Sequence, residues 1–337
     1  MPSPIRPTRP AAPAMARAKH VVAVVAAVCV GGLATGVEPA LAAFPGANGK
    51  IAFTSDRAGT DDIWAMSPNG GEPVNLTTDS PGNDQFPNWR ADGRKIVFNS
   101  DRETPGNPVP AGLPSPDTEI FTMDADGSNV RQVTFNELDD EDPAWSPDGR
   151  YIVFQRDLDP VRGQIDYDIV TMRASGADQR NITNSPANDR SPNWSPNGHR
   201  IAFDSVPEGG TDEDAEIYKM RIDGSRVRRL TDNETFDGQP NWSPNGRKLS
   251  FQSYREGQLS IYTMRADGSD QKRLTYDVPD AFGSAWSPDG RIVAHSSFSD
   301  PEIFTIDLHG SDVRNLTNDP SAFDFAPDWQ PLPNKGH

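Results

Sequence analysis

The hydrophobic pattern of this chain is a set of short β-like runs separated by turn residues and repeated six times. One kind of run reads Ile51-Ala-Phe53, Ile96-Val-Phe98, Ile152-Val-Phe154, Ile201-Ala-Phe203, Leu249-Ser-Phe251 and Val293-Ala-His295. A second kind follows it: Ile63-Trp-Ala-Met66, Ile120-Phe-Thr-Met123, Ile169-Val-Thr-Met172, Ile217-Tyr-Lys-Met220, Ile261-Tyr-Thr-Met264 and Ile303-Phe-Thr-Ile306. This second run is apolar on both faces, which is what a strand sandwiched between two neighbouring sheets requires. Four residues after it comes a glycine (Gly70, Gly127, Gly176, Gly224, Gly268, Gly310). Seven residues later comes a threonine (Thr77, Thr134, Thr183, Thr231, Thr275, Thr317).

Tryptophan supplies the remaining landmark. Trp89, Trp145, Trp194, Trp242 and Trp286 each stand four residues before a glycine, most often as Trp-Ser-Pro-Asp/Asn-Gly. Proline presets φ and glycine accepts φ > 0, so this is turn chemistry. Each unit therefore predicts four short strands: A at the tryptophan, B and C at the two runs above, and D ending at the threonine. Four-stranded units of this length are the signature of propeller blades. The first unit, from Lys50 to Thr77, has no tryptophan strand, while Ala326-Pro-Asp-Trp329 is left over after the sixth threonine. The predicted fold is thus an all-β, six-bladed propeller closed by the C-terminal strand pairing into blade one, which removes an exposed edge.

The Trp-Ser-Pro-Asp-Gly turn, Ile-x-Phe, Ile-Tyr-x-Met, Asp-Gly-Ser and Leu-Thr together resemble the Tol-family, WD-like propeller repeat of TolB-type proteins. The likeness covers roughly residues 44–330. It implies the propeller fold and a binding role. The chain differs in passing from its leader straight into blade one, with no separate α/β domain ahead of the propeller.

Composition narrows the picture. With 28 glycines and 32 prolines in 337 residues a helix bundle is excluded. The formal charge of −17 argues against nucleic acid, and by the same repulsion against anionic membrane surfaces. Arg17, Lys19 and His20 precede the apolar run Val21–Leu33 and then Ala40-Leu41-Ala42, the layout of a secretory signal peptide over residues 1–42. Translation starts at Met1 or at Met15. Cys29, the single cysteine, lies within that run after Val28 rather than a small residue, so lipid attachment is not expected. The expectation is an exported protein, periplasmic or extracellular, monomeric and not inserted in the membrane after cleavage. Its mature form, a propeller over 43–330 with a tail 331–337, carries about −20 and no cysteine.

Length variation falls in the B–C loops, which emerge on the same face as the D–A loops, so function is expected there. The long B–C loops 103–118, 157–167 and 206–215 predict a raised crest. Its last member holds Asp212, Glu213 and Asp214, and the neighbouring D–A loop holds Glu137, Asp139, Asp140 and Glu141. This acidic quadrant is read as a solvated face or as a site for a basic partner or Ca²⁺. Five residues before the tryptophan stand Asp84, Asp140, Asp189, Asp237 and Asp324, with Ala281 in the remaining blade. They are read as loop braces or as a ring at the channel mouth. Arg190, beside Asp189, is the candidate partner of a carboxylate there. Catalytic motifs are absent: there is no Gly-x-Ser-x-Gly and no His-Glu-x-x-His, and His295 reads as a core histidine. The expected function is a non-catalytic platform for a protein or cell-wall ligand on the B–C/D–A face, without a required cofactor. The rival is a hydrolase or lyase using carboxylates at the channel mouth, with or without Ca²⁺.

Overall fold

The computed structural model describes residues 45–104, 117–158, 166–299 and 301–333. The expected signal peptide 1–42 and most of the 103–118 and 157–167 loops lie outside the described residues. In chain order the strands are β1 (Ala47–Ser55), β2 (Asp62–Met66), β3 (Val74–Asn75), β4 (Asp84–Trp89), β5 (Lys95–Ser100), β6 (Glu119–Asp124) and β7 (Arg131–Gln132). Next come β8 (Asp140–Trp145), β9 (Tyr151–Asp157), β10 (Tyr167–Arg173), β11 (Arg180–Asn181), β12 (Asn188–Trp194), β13 (Arg200–Val206), β14 (Glu216–Arg221) and β15 (Arg228–Arg229). The last are β16 (Asp237–Trp242), β17 (Lys248–Ser253), β18 (Ser260–Arg265), β19 (Lys272–Arg273), β20 (Ala281–Trp286), β21 (Ile292–Ser297), β22 (Phe304–Asp307), β23 (Arg314–Asn315) and β24 (Asp324–Leu332).

They form six four-stranded antiparallel sheets. Five run consecutively from β4 to β23, and the sixth is ordered β24-β1-β2-β3. The ring therefore closes as the sequence predicts, with Trp329 opposite Ile51 and Asp324 opposite Ser55.

The repeated residues each have a structural task. All six threonine hydroxyls accept the backbone N–H of the isoleucine that opens strand C, from Thr77 to Ile63 (3.0 Å) round to Thr317 to Ile303 (3.0 Å). The C–D turn glycines all have positive φ. A Cβ on them would strike a carbonyl of the preceding blade, at 2.1 Å for Gly176 on Val133 and for Gly224 on Ile182. Only glycine serves there, because both the dihedral and the inter-blade approach exclude a side chain.

The core is not one mass but six wedges, one between each pair of neighbouring blades. Trp145, for example, packs with Val97, Ile120 and Val133 of blade two and with Ile152, Phe154 and Val170 of its own blade. Trp89, Trp194, Trp242, Trp286 and Trp329 fill the same place in the other five. The tryptophan recurs because each wedge needs one large flat side chain at its narrow end.

His295 takes the place of the strand-B phenylalanine and is fully buried, stacked on Phe304 with 5.7 Å between ring centroids. Burial lowers its pKa to about 4. The folded protein thus keeps the ring neutral at pH values where the unfolded chain, near 6.5, already binds a proton. Stability is accordingly lost as pH falls from 6.5 toward 4. A His295→Phe variant is expected to lose less stability than the parent between pH 7 and 5, by ~1–2 kcal/mol in urea titrations.

Candidate functional site

The inner strand A sets the geometry of the channel. In every blade the second residue after its first repeated position is left-handed: Phe86, Asp142, Ser191, Gln239, Gly283 and Ala326, with φ between 50° and 58°. Each marks a β-bulge, and the A–B register shifts there, as between Gln85 and Asn88. The freed N–H of the bulge reaches back to the preceding blade. Phe86 donates to Thr54 Oγ1 (3.1 Å), Asp142 to Asn99 Oδ1 (3.4 Å), Ser191 to Gln155 Oε1 (3.0 Å) and Gln239 to Asp204 Oδ1 (3.1 Å). In each case the acceptor is the residue following the strand-B phenylalanine.

One residue before tryptophan, a second set of links crosses between blades. Asn88 Oδ1 accepts the Trp145 N–H (3.0 Å) and Asn193 Oδ1 accepts the Trp242 N–H (3.2 Å). On the closing strand the same position is Asp328, whose Oδ2 accepts from Trp89 N (2.6 Å) and Asn88 Nδ2 (3.2 Å). Asp328 lines the central channel with Asn88, Asp142, Asn241 and Ser284, around a cavity of ≈40 Å³. That is room for a few waters and far below the volume of a substrate pocket.

Burial pushes the Asp328 carboxyl up to about 7, against the pull of the Trp89 and Trp329 N–H groups. Its folded pKa lies above the unfolded value, so ionising it weakens the fold as pH rises from 4 to 7. Asparagine performs the same task uncharged in neighbouring blades. Asp328→Asn is therefore expected to raise stability by ~1–3 kcal/mol at pH 8 and by nothing measurable at pH 4. Thermal melts at the two pH values check this.

The repeated aspartates sit inside their blades, on arginines. Asp84, Asp140, Asp237 and Asp324 are fully buried. Asp84 accepts from Arg102 (2.6 Å), Asp140 from Arg156 (2.6 and 2.8 Å), Asp324 from Arg57 (2.6 Å), and Asp237 from Arg255. Asp140 and Asp237 also receive the amides of Asn136 (2.9 Å) and Asn233 (2.8 Å). Asp189 has no arginine. It accepts from Ser185 Oγ (2.9 Å), and burial raises its carboxyl to about 6.

The residue after each aspartate position differs from blade to blade: Gln85, Glu141, Arg190, Gly238, Phe282 and Phe325 in chain order. These stand at the loop-face end of the channel and divide it into two sectors. In blades six and one, Phe282 stacks on Phe298 (4.0 Å between centroids), Phe298 lies near Phe323, and Phe325 meets Phe323 and Phe86 (5.4 Å each). The apolar cluster extends beyond this sector through Tyr167, Val206, Ala215, Phe236 and Leu259, so that all six blades contribute to it.

The other sector is ionic. Arg190 is buried and does not pair with its neighbour Asp189. Nε meets Asp204 Oδ2 (3.1 Å) and Nη1 meets Asp212 Oδ1 (2.6 Å), while Nη2 has no partner among the described residues. Glu141 accepts from Tyr167 Oη (2.8 Å) and Gln155 Nε2 (3.2 Å). Burial, then the charge of Asp139, lifts its carboxyl to about 7.

Of the acidic quadrant, the structure brings Glu137, Asp139 and Glu141 together with Asp117, whose pKa is raised by burial and then by Asp139 and Glu137. Asp139 also accepts the Thr118 N–H (2.7 Å). Asp212, Glu213 and Asp214 form an exposed 3-10 turn, with Asp214 Oδ2 accepting Thr211 N (2.8 Å). A cleft of ≈700 Å³ joins this turn to Asp166, Asn188 and Glu208. Among the described residues no group of three or more His, Cys, Asp or Glu side chains is disposed to hold a metal ion.

The sequence reading singles out neither Tyr167, Asp204, Asp328 nor the aromatic sector. Two of these carry a visible signal. Asp328 interrupts Pro-Asn-Trp in three other blades, and Asp204 is the one acid at the position after the strand-B aromatic.

The sequence matches the TolB beta propeller domain family over residues 26–157 and 208–335. A stretch of 115 residues is 34% identical to an uncharacterized protein of Agrobacterium fabrum, spanning 32% of this chain and about a third (36%) of that relative's length. Among solved structures, TolB from Acinetobacter baumannii superposes with a TM-score of 0.68 at 19% identity, over 84% of this chain and 67% of that one. A putative TolB from Agrobacterium tumefaciens gives 0.59 at 22% identity, over 85% and 99%. Oligogalacturonate lyase from Vibrio parahaemolyticus gives 0.54 at 14%, over 81% and 77%. At these identities the structural likeness speaks for the fold alone.

Proposed function

The chain belongs to the TolB β-propeller domain family, and from that premise we propose that it is an exported, non-catalytic platform that captures a protein or cell-envelope ligand on its B–C/D–A face. The observation that carries this reading is the divided channel mouth. Elsewhere on strand A most blades share a residue type or a task, as the aspartate at its start and the Asn/Asp before tryptophan do, with Ala281, Ala144 and Ala285 the exceptions. At the mouth it places Glu141 and Arg190 in one sector and Phe282 and Phe325 in the other. A scaffold gains nothing from that difference, whereas a ligand with a charged end and an apolar body is oriented by it. Export rests on the leader-like residues 1–42 and on the family.

The test is capture from a cell-envelope extract by the parent and by a variant carrying Glu137→Gln, Asp212→Asn, Glu213→Gln and Asp214→Asn. Glu137, Glu213 and Asp214 lie free of ion pairs among the described residues, and Asp212→Asn keeps an oxygen for Arg190 Nη1, so the fold is expected to persist and is checked by melting. Loss of the captured species supports the platform, and an unchanged set removes this face from consideration.

The enzyme reading has one observation in its favour, the Glu141–Tyr167 pair, whose carboxyl is lifted by burial to about 7. Such perturbed clusters occur at catalytic sites and also in structural networks. Turnover of an anionic oligosaccharide that vanishes in Glu141→Gln, with the fold intact, would establish it.

A further inference from the structure

The six C–D hairpins supply their own standard of comparison, and blade four departs from it twice. Two residues past the turn glycine the backbone is left-handed in five blades: Asn129, Asp178, Arg226, Asp270 and Asp312, with φ between 53° and 57°. Asparagine and aspartate tolerate that region best. The aspartates also neutralise nearby bases. Asp178 pairs with Arg173 (2.5 Å), Asp270 with Lys272 (2.8 Å) and Asp312 with Arg314 (2.8 Å).

In blade four the acid is replaced by Arg226, a base in an unfavourable conformation. Arg221, the counterpart of Arg173, thereby loses that ion-pair partner; Asp223, which accepts from Ser225, is the one acid within the hairpin. Arg200 stands directly opposite Arg221, and Lys219 opposite Arg228. Like charges in that relation destabilise a sheet. Blade two resolves the matching pair as Lys95–Asp124 (2.6 Å). Among the described residues none of Arg200, Lys219, Arg221, Arg226 and Arg228 pairs with a carboxylate. Lys219 Nζ and Arg228 Nη2 donate instead to the carbonyls of Ala266 and Asp267. Burial, then Arg228 and Arg200, holds the Lys219 ammonium below its ordinary pKa, a second sign of crowded positive charge.

The other departure is Ile222, 39% exposed, where blades two, three and five carry Ala125, Ala174 and Ala266 and blade six carries a partly buried Leu308. Val227, 55% exposed, lies beside it between Arg226 and Arg228. Every residue from Arg221 to Arg229 except Gly224 is exposed, so the hairpin is a convex tip without walls for a small ligand.

We propose that this hairpin docks the propeller on an anionic phospholipid surface, its arginines on headgroup phosphates and Ile222 and Val227 between the headgroups. Guanidinium forks match phosphate oxygens, and exposed aliphatics flanked by bases partition into the interface without spanning it. The net charge of the chain conceals this, because the acidic loops lie on the opposite face. The docking is independent of the ligand face, and either can fail without the other.

The test is co-sedimentation of the full chain with phosphatidylglycerol/phosphatidylcholine vesicles and with phosphatidylcholine alone, beside Arg226→Asp and Ile222→Ala. Residues 1–44 are common to all, so their contribution cancels in the comparison. Arg226→Asp installs the residue that other blades already carry, so the hairpin folds, as a melt verifies. Expected is a phosphatidylglycerol-dependent binding that falls roughly 10- to 30-fold in Arg226→Asp, falls by a smaller factor in Ile222→Ala, and is lost in high salt. Equal binding by parent and Arg226→Asp, or no preference for the anionic vesicles, overturns the proposal. Binding of a polyglutamate peptide as tightly as the vesicles, indifferent to Ile222→Ala, also overturns it and assigns the surface to an acidic protein.

Discussion

Trp329→Ala is expected to cost ~3–5 kcal/mol, the upper range for truncating a buried aromatic, and to open the ring rather than loosen it. Trp329 is 3% exposed and packs with Ile51, Phe53 and Met66 of blade one and with Ala285, Ala294 and Ile303 of blade six. It is therefore the wedge of the interface at which the two ends of the chain meet. Any other wedge joins blades that the backbone already tethers. Here the backbone runs from blade six into β24 alone, and β24 is held to β1, β2 and β3 only by non-covalent contacts. Removal of the chain from Asp324 onward goes further. It takes away the β24–β1 ladder, the Arg57–Asp324 pair and the Asp328–Trp89 bond together. That variant is expected to lose its cooperative urea transition, with a larger radius of gyration in solution scattering. A truncated chain that keeps both the transition and the dimensions of the parent would show that five and three-quarter blades suffice.

The second large effect is expected at the buried ion pairs of the inner strands. Asp140→Ala leaves the Arg156 guanidinium without its carboxylate, with only Gln179 still accepting from it, and should cost ~3–5 kcal/mol. Burial raises the Asp140 carboxyl against the pull of Arg156, while Arg156, against its own burial, is held charged by Asp140, so desolvation and the attraction of the pair oppose each other. It follows that the pair is not itself a strong source of stability. Asp140→Leu combined with Arg156→Met should recover most of what the single change loses. A double-mutant cycle in urea decides the matter: additive losses would mean that the two residues act separately.

The architecture was legible because its landmarks are residue types with a single use. A left-handed turn jammed against a neighbouring carbonyl admits only glycine, and the narrow end of each wedge takes tryptophan, so both recur in register. The threonines recur because a short hydroxyl must reach the first N–H of strand C. The bulge was hidden because its residue can be Phe86, Asp142, Ser191, Gln239 or Ala326. The constraint there lies on the backbone, and only the proline that follows, as in Pro87, Pro143 and Pro192, leaves a trace. The aspartates were visible, but their partners were not. Arginine stands four residues after the strand-B phenylalanine in blades one, two and five, yet only two after it in blade three, as Arg156. Arg190 was found for the wrong partner, since adjacent residues on a strand point to opposite faces and Asp189 could not meet it. The divided mouth was least legible of all, because it is a pattern of differences at a position that repeat analysis treats as noise.

Blade one is built from both extremes of the chain, with Lys50 and Gln330 in contact although 280 residues apart. Until β24 leaves the ribosome, β1 presents a bare edge and the sixth interface has no wedge. Any product cut short by premature termination keeps that unpaired edge, an invitation to aggregation and to proteases. Completion of synthesis is in this way inspected by the fold itself.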